Sequence, residues 1–171
     1  QDAFNFNDRD QSGYWEKKEI APLFKNSGKS LRGRNVLVSI SAGGKGDITK
    51  THVNWKKRKA LPYVASPLLY QDRLYYVKKG GYLTAIHPIS GEPFFESEKI
   101  GVSGEYYASP IGVDGQILVA SKEGIITLFK ASDKFEIIKK IDMEESILSS
   151  PAIVDDNLYL RTSNHLWAFS D

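Results

Sequence analysis

The stretch "ASPLLYQDRLYYVKKGGYLTAI", from Ala65 to Ile86, carries the pattern that decides the fold. Two similar stretches follow it: "ASPIGVDGQILVASKEGIITLF" at 108–129 and "SSPAIVDDNLYLRTSNHLWAF" at 149–169. The prolines of the three copies stand 43 and 41 residues apart, at Pro67, Pro110 and Pro151. A period of about 40 to 50 residues, with several short strands in each unit, is typical of a propeller or a similar repeat array.

Each copy contains the same succession of local signals. Ser-Pro opens a strand at a position where the missing N–H of proline does least harm. A polar turn, a second strand, another turn and a third strand follow. The first polar turns of the three copies are Gln71-Asp72, Asp114-Gly115 and Asp155-Asp156-Asn157.

A fourth segment completes the first two copies only. It reads "PFFESEKI" from Pro93 and "FEIIKKI" from Phe135, whereas the third copy stops at Asp171 without one. Upstream, residues 34–40 and 51–58 have the character of the last two strands of a preceding unit, separated by a glycine-rich loop. The sequence therefore predicts an all-β chain with an incomplete propeller of about three and a half four-stranded blades.

Composition agrees with a packed β domain and excludes several classes of function. The 171 residues are 41% hydrophobic, include 9 Tyr and 8 Phe, and have a formal net charge of +2. This balance favours neither nucleic acid nor a membrane surface as partner. Without cysteine the chain has no disulfide, thiolate chemistry or Cys-based zinc site. No apolar run approaches the roughly 18 residues of a membrane span.

The segment "TAIHPISGEPFF", at 84–95, resembles the quinoprotein-type repeat Ala-x-Asp-x-x-Thr-Gly-x-x-x-Trp. Ala85 and Gly91 match this pattern. Three positions depart from it: His87 replaces the aspartate, Ser90 replaces the threonine and Phe95 replaces the tryptophan.

Together with "GKGDITKTHVNWK" at 44–56 and the Ser-Pro units, this segment makes residues 34–171 similar to the C-terminal part of a PQQ-binding-like β-propeller protein. The resemblance is to the secreted bacterial group that also includes the outer-membrane assembly lipoprotein of the same fold. It implies a periplasmic or secreted bacterial protein.

In that family only the dehydrogenases bind PQQ, and they need calcium-ligating and quinone-stacking residues that have no match in this sequence. The resemblance therefore implies a non-catalytic binding or scaffold module rather than an enzyme. The expected partner is another polypeptide, or the upstream half of the same protein, that completes the propeller. Two alternatives stay open: a fragment of a quinone-dependent dehydrogenase, and a carbohydrate- or polyanion-binding module using Trp55 and the basic run 56–59.

The segment "NDRDQSGYWEKKE", at 7–19, fits the calcium loop of an EF-hand. With Gly13 in the sixth position, every ligand position carries an oxygen donor: Asp8, Asp10, Ser12, Tyr14, Glu16 and Glu19. Ca²⁺ needs six to eight oxygens, and alternate side chains converge on it while the glycine makes the sharp turn. We expect a structural Ca²⁺ in an EF-hand-like helix-loop-helix at 1–30, followed by the partial propeller at 31–171. The alternative is a solvated acidic turn that caps a helix beginning near Glu16.

The remaining candidate residues are expected to have structural roles. His52, His87 and His165 have no partner at metal-ligand spacing. Trp55 and Trp167 are expected in the core, since aromatic residues in strands usually pack. The basic run at 56–59 is expected to be a solvated strand end.

Overall fold

Four antiparallel sheets follow one another in the order of the sequence. The structure, a computed structural model, describes residues 35–170. This part of the chain contains β1 (Leu37–Ile40), β2 (Val53–Lys57), β3 (Leu68–Tyr70), β4 (Arg73–Lys78), β5 (Tyr82–Ile86), β6 (Pro93–Lys99), β7 (Ile111–Val113), β8 (Gln116–Ala120), β9 (Ile125–Lys130), β10 (Ile137–Asp142), β11 (Ala152–Val154), β12 (Asn157–Arg161) and β13 (Leu166–Phe169).

Within each sheet the strands pair with their neighbours in sequence. Sheet 1 contains β1 and β2, sheet 2 contains β3 to β6, sheet 3 contains β7 to β10, and sheet 4 contains β11 to β13. The all-β class and the four-stranded unit are thereby confirmed for residues 35–170. The EF-hand-like segment and the domain boundary at residue 30 lie outside the described residues. The fourth strand of sheet 3 begins at Ile137, two residues after the predicted start at Phe135, and a register shift follows Ile137.

The tight turns after the first strands explain how each unit folds back on itself. Gln71 and Asp72 have φ of 46° and 58°, and Asp114 and Gly115 have φ of 47° and 71°. Two successive positive φ values are typical of the type I′ turn, whose twist matches that of a β-hairpin. Asp and Gly tolerate this conformation, so the polar dipeptides set the register of the strands beside them.

The central strands are buried on both faces. In β8, Ile117 and Val119 pack with Tyr75 of sheet 2, while Leu118 and Ala120 pack in a second cluster with Leu160 of sheet 4. All four of these β8 residues are at most 4% exposed. Strands covered on both sides read as continuous apolar runs, which accounts for "ILVA" in the sequence.

The serines of the Ser-Pro motifs join neighbouring units. The backbone N–H of Ser66 donates to Ser109 Oγ at 2.9 Å, and the N–H of Ser109 donates to Ser150 Oγ at 2.8 Å. Ser109 and Ser150 therefore each satisfy a backbone N–H of the preceding unit. Because the same hydrogen bond forms at both junctions, each sheet is displaced along the preceding one in the same way.

Sheet 1 docks on sheet 2 through Trp55. Its Nε1 donates to Pro88 O at 2.9 Å, and its indole lies over Gly91. Gly91 has φ of 74°, and a Cβ built there would lie 2.8 Å from the indole. The glycine is thus required both by its backbone conformation and by the close approach of the ring.

We predict that Gly91→Ala destabilises the protein more than Gly46→Ala does. Gly46 has nearly the same φ, 71°, but a Cβ there meets nothing within 4 Å. The control substitution carries only the left-handed backbone cost of about 1–2 kcal/mol. In Gly91→Ala the new methyl group must also displace the Trp55 ring, which adds about 1–3 kcal/mol to the backbone cost. Urea unfolding followed by tryptophan fluorescence measures the difference. Equal losses in the two variants would contradict the packing of Trp55 on Gly91.

Candidate interaction surface

Glu145 is the carboxylate most strongly perturbed by its surroundings among the described residues. It accepts hydrogen bonds from Thr162 Oγ1 and from the Asn164 N–H at 3.1 Å, and its Oε1 lies 2.6 Å from His165 Nδ1. The Thr162 hydroxyl, followed by the Asn164 amide and the His165 ring, lowers the pKa of Glu145 to about 2. Trp167 Nε1 also donates to Thr162 Oγ1, at 3.0 Å. The carboxylate therefore holds the β12–β13 turn in place.

His87, at the position where the quinoprotein-type pattern has an aspartate, caps the turn that follows β5. Its Nδ1 accepts hydrogen bonds from the N–H groups of Ile89, at 3.3 Å, and Ser90, at 3.2 Å. The same turn closes through a bond from the Gly91 N–H to the His87 carbonyl. A ring nitrogen thus caps the turn where a carboxylate oxygen would otherwise accept the same donors.

The other residues singled out in the sequence are not brought together into one site. The six residues of the calcium loop lie outside residues 35–170, and within that range no cluster of three His, Asp or Glu could hold a metal. The His52 ring nitrogen Nδ1 lies 2.7 Å from the hydroxyl of its neighbour Thr51. Lys56, Arg58 and Lys59 are exposed. In the glycine-rich loop, the Asp47 side chain accepts a hydrogen bond from the Thr49 N–H at 2.9 Å.

One face of sheet 4 is largely apolar, and no other sheet of residues 35–170 covers it. Leu158, Leu160 and Trp167 pack toward sheet 3, so the residues alternating with them point away from it. We call this surface the trailing face. It is formed by Ala152, Val154, Tyr159, Arg161, Leu166 and Ala168.

The trailing face is equivalent to surfaces that are buried in the two preceding sheets. Tyr75 and Leu83 occupy the positions of Tyr159 and Leu166 in sheet 2, and both are 0% exposed because sheet 3 covers them. In sheet 4, Tyr159 is 38% and Leu166 68% exposed. Equivalent positions are thus buried in sheet 2 and exposed in sheet 4.

Sheet 1 presents a second surface that no other sheet of the described residues covers, which we call the leading face. It contains a cavity of about 260 Å³. Val36 and Ile40 on this face are 41% and 53% exposed. The floor of the cavity is apolar and its rim is basic. Val36, Val38, Ile40 and Val53 line the floor, and Lys56 and Arg58 lie at the rim.

The fold is that of a β-propeller. BamB from Moraxella catarrhalis superposes with a TM-score of 0.62 at 18% identity, over 80% of this chain and 40% of that one. The computationally designed proteins Ika4 and Ika8 each superpose with a TM-score of 0.57 at 12% identity, over 81% of this chain. The chain covers 86% of Ika4 and 44% of Ika8. This chain thus spans less than half the length of BamB.

The sequence comparisons do not assign the chain to a family. No protein-family description matches the sequence, and no curated protein matches it significantly. No helix within residues 35–170 is long and apolar enough to cross a membrane.

We predict that Glu145 contributes stability that depends on pH. Its pKa falls from 4.5 in the unfolded chain to about 2 in the fold, so its contribution is complete above pH 4.5 and is lost as the pH falls toward 2. Glu145→Gln should unfold at lower urea concentration at pH 7, and its deficit should shrink as the pH falls through this window. Glu144→Gln is the control, because the exposed Glu144 side chain caps no turn. A deficit that stays constant from pH 7 to pH 2 would contradict this role.

Proposed function

We propose that this chain is a non-catalytic binding or scaffold module of a β-propeller protein, whose uncovered sheet faces dock onto sheets of another polypeptide. One observation carries the proposal: positions that are fully buried in sheet 2, such as Tyr75 and Leu83, are 38% and 68% exposed in sheet 4. Contiguous exposed apolar surface of this kind typically marks a protein-interaction site.

The two uncovered faces differ in charge, which supports docking of different surfaces at each. The leading face has Lys56 and Arg58 at its rim, so an acidic surface complements it. The trailing face has Arg161 at the position held by Val77 and Ala120 in the interior sheets. A charged residue at this position limits unspecific pairing of an exposed sheet.

The proposal also states that the module is not catalytic and that it is extracytoplasmic. The most perturbed carboxylate of the described residues, Glu145, is engaged on both oxygens by its own turn, which supports a structural role for it. Trp55 is packed on Gly91 rather than presented to a sugar ring, which favours polypeptide over carbohydrate as ligand. The resemblance to secreted bacterial propellers supports an extracytoplasmic location.

Calcium stabilisation is the remaining part of the proposal and rests on the sequence of residues 8–19. The register of the loop around Gly13 supports one Ca²⁺ held by oxygen donors at the six positions named above. The bound ion would order the N-terminal segment and take no part in a reaction.

We predict that the trailing face drives association in the absence of a partner. In sedimentation velocity at micromolar concentration, the wild-type chain should show a mass that rises with concentration above its 19.2 kDa. Replacement of both Tyr159 and Leu166 by lysine should restore the monomer, because two charges oppose burial of the face. Ile138→Lys is the control, since Ile138 is 50% exposed on β10 and lies outside both faces. A wild-type monomer at all concentrations would overturn the docking proposal.

We predict that Ca²⁺ binds to the N-terminal loop with a Kd of about 10⁻⁴–10⁻³ M, the range of extracellular modules. Titration calorimetry should show binding that disappears in Asp8→Ala and Glu19→Gln, because each removes a ligand oxygen. Asp2→Asn, outside the loop, is the matched control and should bind as wild type. Equal binding by all variants, or no binding at millimolar calcium, would contradict the metal site.

A further inference from the structure

We propose that the corner of sheet 2 beside the β4–β5 turn binds a short acidic segment of a partner polypeptide. Two lysines and a tyrosine form the site: Lys78 of β4, Tyr82 of β5 and Lys99 of β6. We call these three residues the basic row. The basic row belongs to neither the trailing face nor the leading face, so this inference goes beyond the docking of those faces and does not rest on it.

The basic row runs continuously across three neighbouring strands. Lys78 pairs with Tyr82, and Tyr82 pairs with Lys99. Since the Cβ atoms of residues directly opposite each other lie about 4.5–5.5 Å apart, the row spans about 10 Å on one face of the sheet. Lys99 Nζ lies 4.6 Å from the centroid of the Tyr82 ring. The electron-rich ring face attracts this ammonium group and so holds one of the two charges in place.

The other sheets show what the position of Lys78 requires. Sheets 3 and 4 have Ser121 and Thr162 there, which are 0% and 2% exposed. Their hydroxyls accept hydrogen bonds from the N–H groups of Ile125, at 3.2 Å, and His165, at 3.3 Å. A lysine ammonium donates hydrogen bonds and accepts none, so Lys78 cannot cap its turn in this way. The β4–β5 turn nevertheless closes through a backbone bond, as the β8–β9 turn does. The fold therefore does not require a lysine at this position.

The whole row differs in charge between sheets 2 and 3. In sheet 3 the residue after the turn is Ile125, and it pairs with Asp142 of β10 as Tyr82 pairs with Lys99. The corresponding row of sheet 3 thus contains a serine, an isoleucine and an aspartate, and it has no cation. Because the two sheets have the same strand order, the positive charge is a property of sheet 2 alone and not of the architecture.

The charges of the basic row are exposed and unpaired. Lys78 and Lys99 are exposed, and Tyr82 is 37% exposed, although sheets 1 and 3 both pack on sheet 2. Among the described residues, neither lysine forms an ion pair. Lys57 adds a third positive charge, because it shares a side of β2 with Trp55, which docks on sheet 2. An acidic partner would therefore find cations that no carboxylate already neutralises.

The extent of the basic surface indicates the kind of anion that fits it. Glu96 and Glu98 are exposed on β6, immediately before Lys99. A long polyanion such as a nucleic acid needs a continuous basic track for its phosphates, and here these two carboxylates interrupt such a track. A short peptide segment with two or three carboxylates complements the row and can end before it meets them.

The test measures binding of a labelled octapeptide of glutamate to the full chain by fluorescence anisotropy. Saturable binding at low ionic strength is expected, and added salt should weaken it, since the charges are exposed. Lys78→Ser and Lys99→Gln should each lower the affinity about two- to fivefold, the range for one exposed ion pair. Lys139→Gln is the matched control, because it removes the same charge from an exposed position on β10 of sheet 3. This variant should bind as the wild type does.

Urea unfolding separates loss of binding from loss of the fold. Lys78→Ser should unfold at the wild-type urea concentration or above it, because a serine hydroxyl can accept the turn N–H as Ser121 does in sheet 3. Should this variant unfold more easily, the exposed Lys99→Gln variant still decides the question, since Lys99 contacts only the Tyr82 ring.

Each outcome of the titrations bears on the inference. No saturable binding of the glutamate peptide overturns it, and so does an equal loss of affinity in Lys139→Gln and Lys99→Gln. Tighter binding of a thymidine oligonucleotide of equal charge, with the same dependence on Lys78 and Lys99, also overturns it by assigning the row to a nucleic acid. These outcomes leave the docking proposal intact, because sedimentation of the Tyr159 and Leu166 double variant tests that separately.

Discussion

Burial of each interior sheet between two neighbours is the constraint on which the rest of the structure depends. A single four-stranded unit of this size cannot bury both of its faces, so units must stack. Strand β8 shows the consequence, since Ile117 and Val119 enter one core while Leu118 and Ala120 enter the next. The free energy of burial is thus shared between successive junctions, and each junction requires apolar residues from two different repeats.

The polar contacts between units repeat because the stacking repeats. Ser109 and Ser150 each accept the amide of the serine one unit earlier. Thr127 Oγ1 reaches across a junction to the Ile100 carbonyl at 3.3 Å. Such bonds contribute about 1 kcal/mol each, which is little beside the apolar burial. Their directional geometry nevertheless fixes how far one sheet is displaced along the next.

The proposed interaction surface arises from the same constraint. The trailing face is apolar although no further sheet of the described residues covers it, and for this reason we propose it as a site for another polypeptide. The replacement of Val77 and Ala120 by Arg161 at the equivalent position of sheet 4 shows how such a face differs from an interior one. Its arginine keeps the surface solvated and adds a charge that a partner must complement.

The repeat, its strands and its turns could be predicted from the sequence, because the signals of Ser-Pro, Asp-Gly and alternating strands act over a few residues. The sequence also matched Gly91 to the repeat pattern and predicted that Trp55 lies in the core, whereas the structure shows it half-buried, packed on Gly91. Contact between this tryptophan and this glycine required the tertiary structure, since 36 residues separate them. Glu145 gave no signal, because its partners Thr162 and His165 come close only when sheet 4 folds. Likewise, "NLYLR" and "RLYYV" read alike as strands, and only the packing of the sheets shows which of their faces is left uncovered.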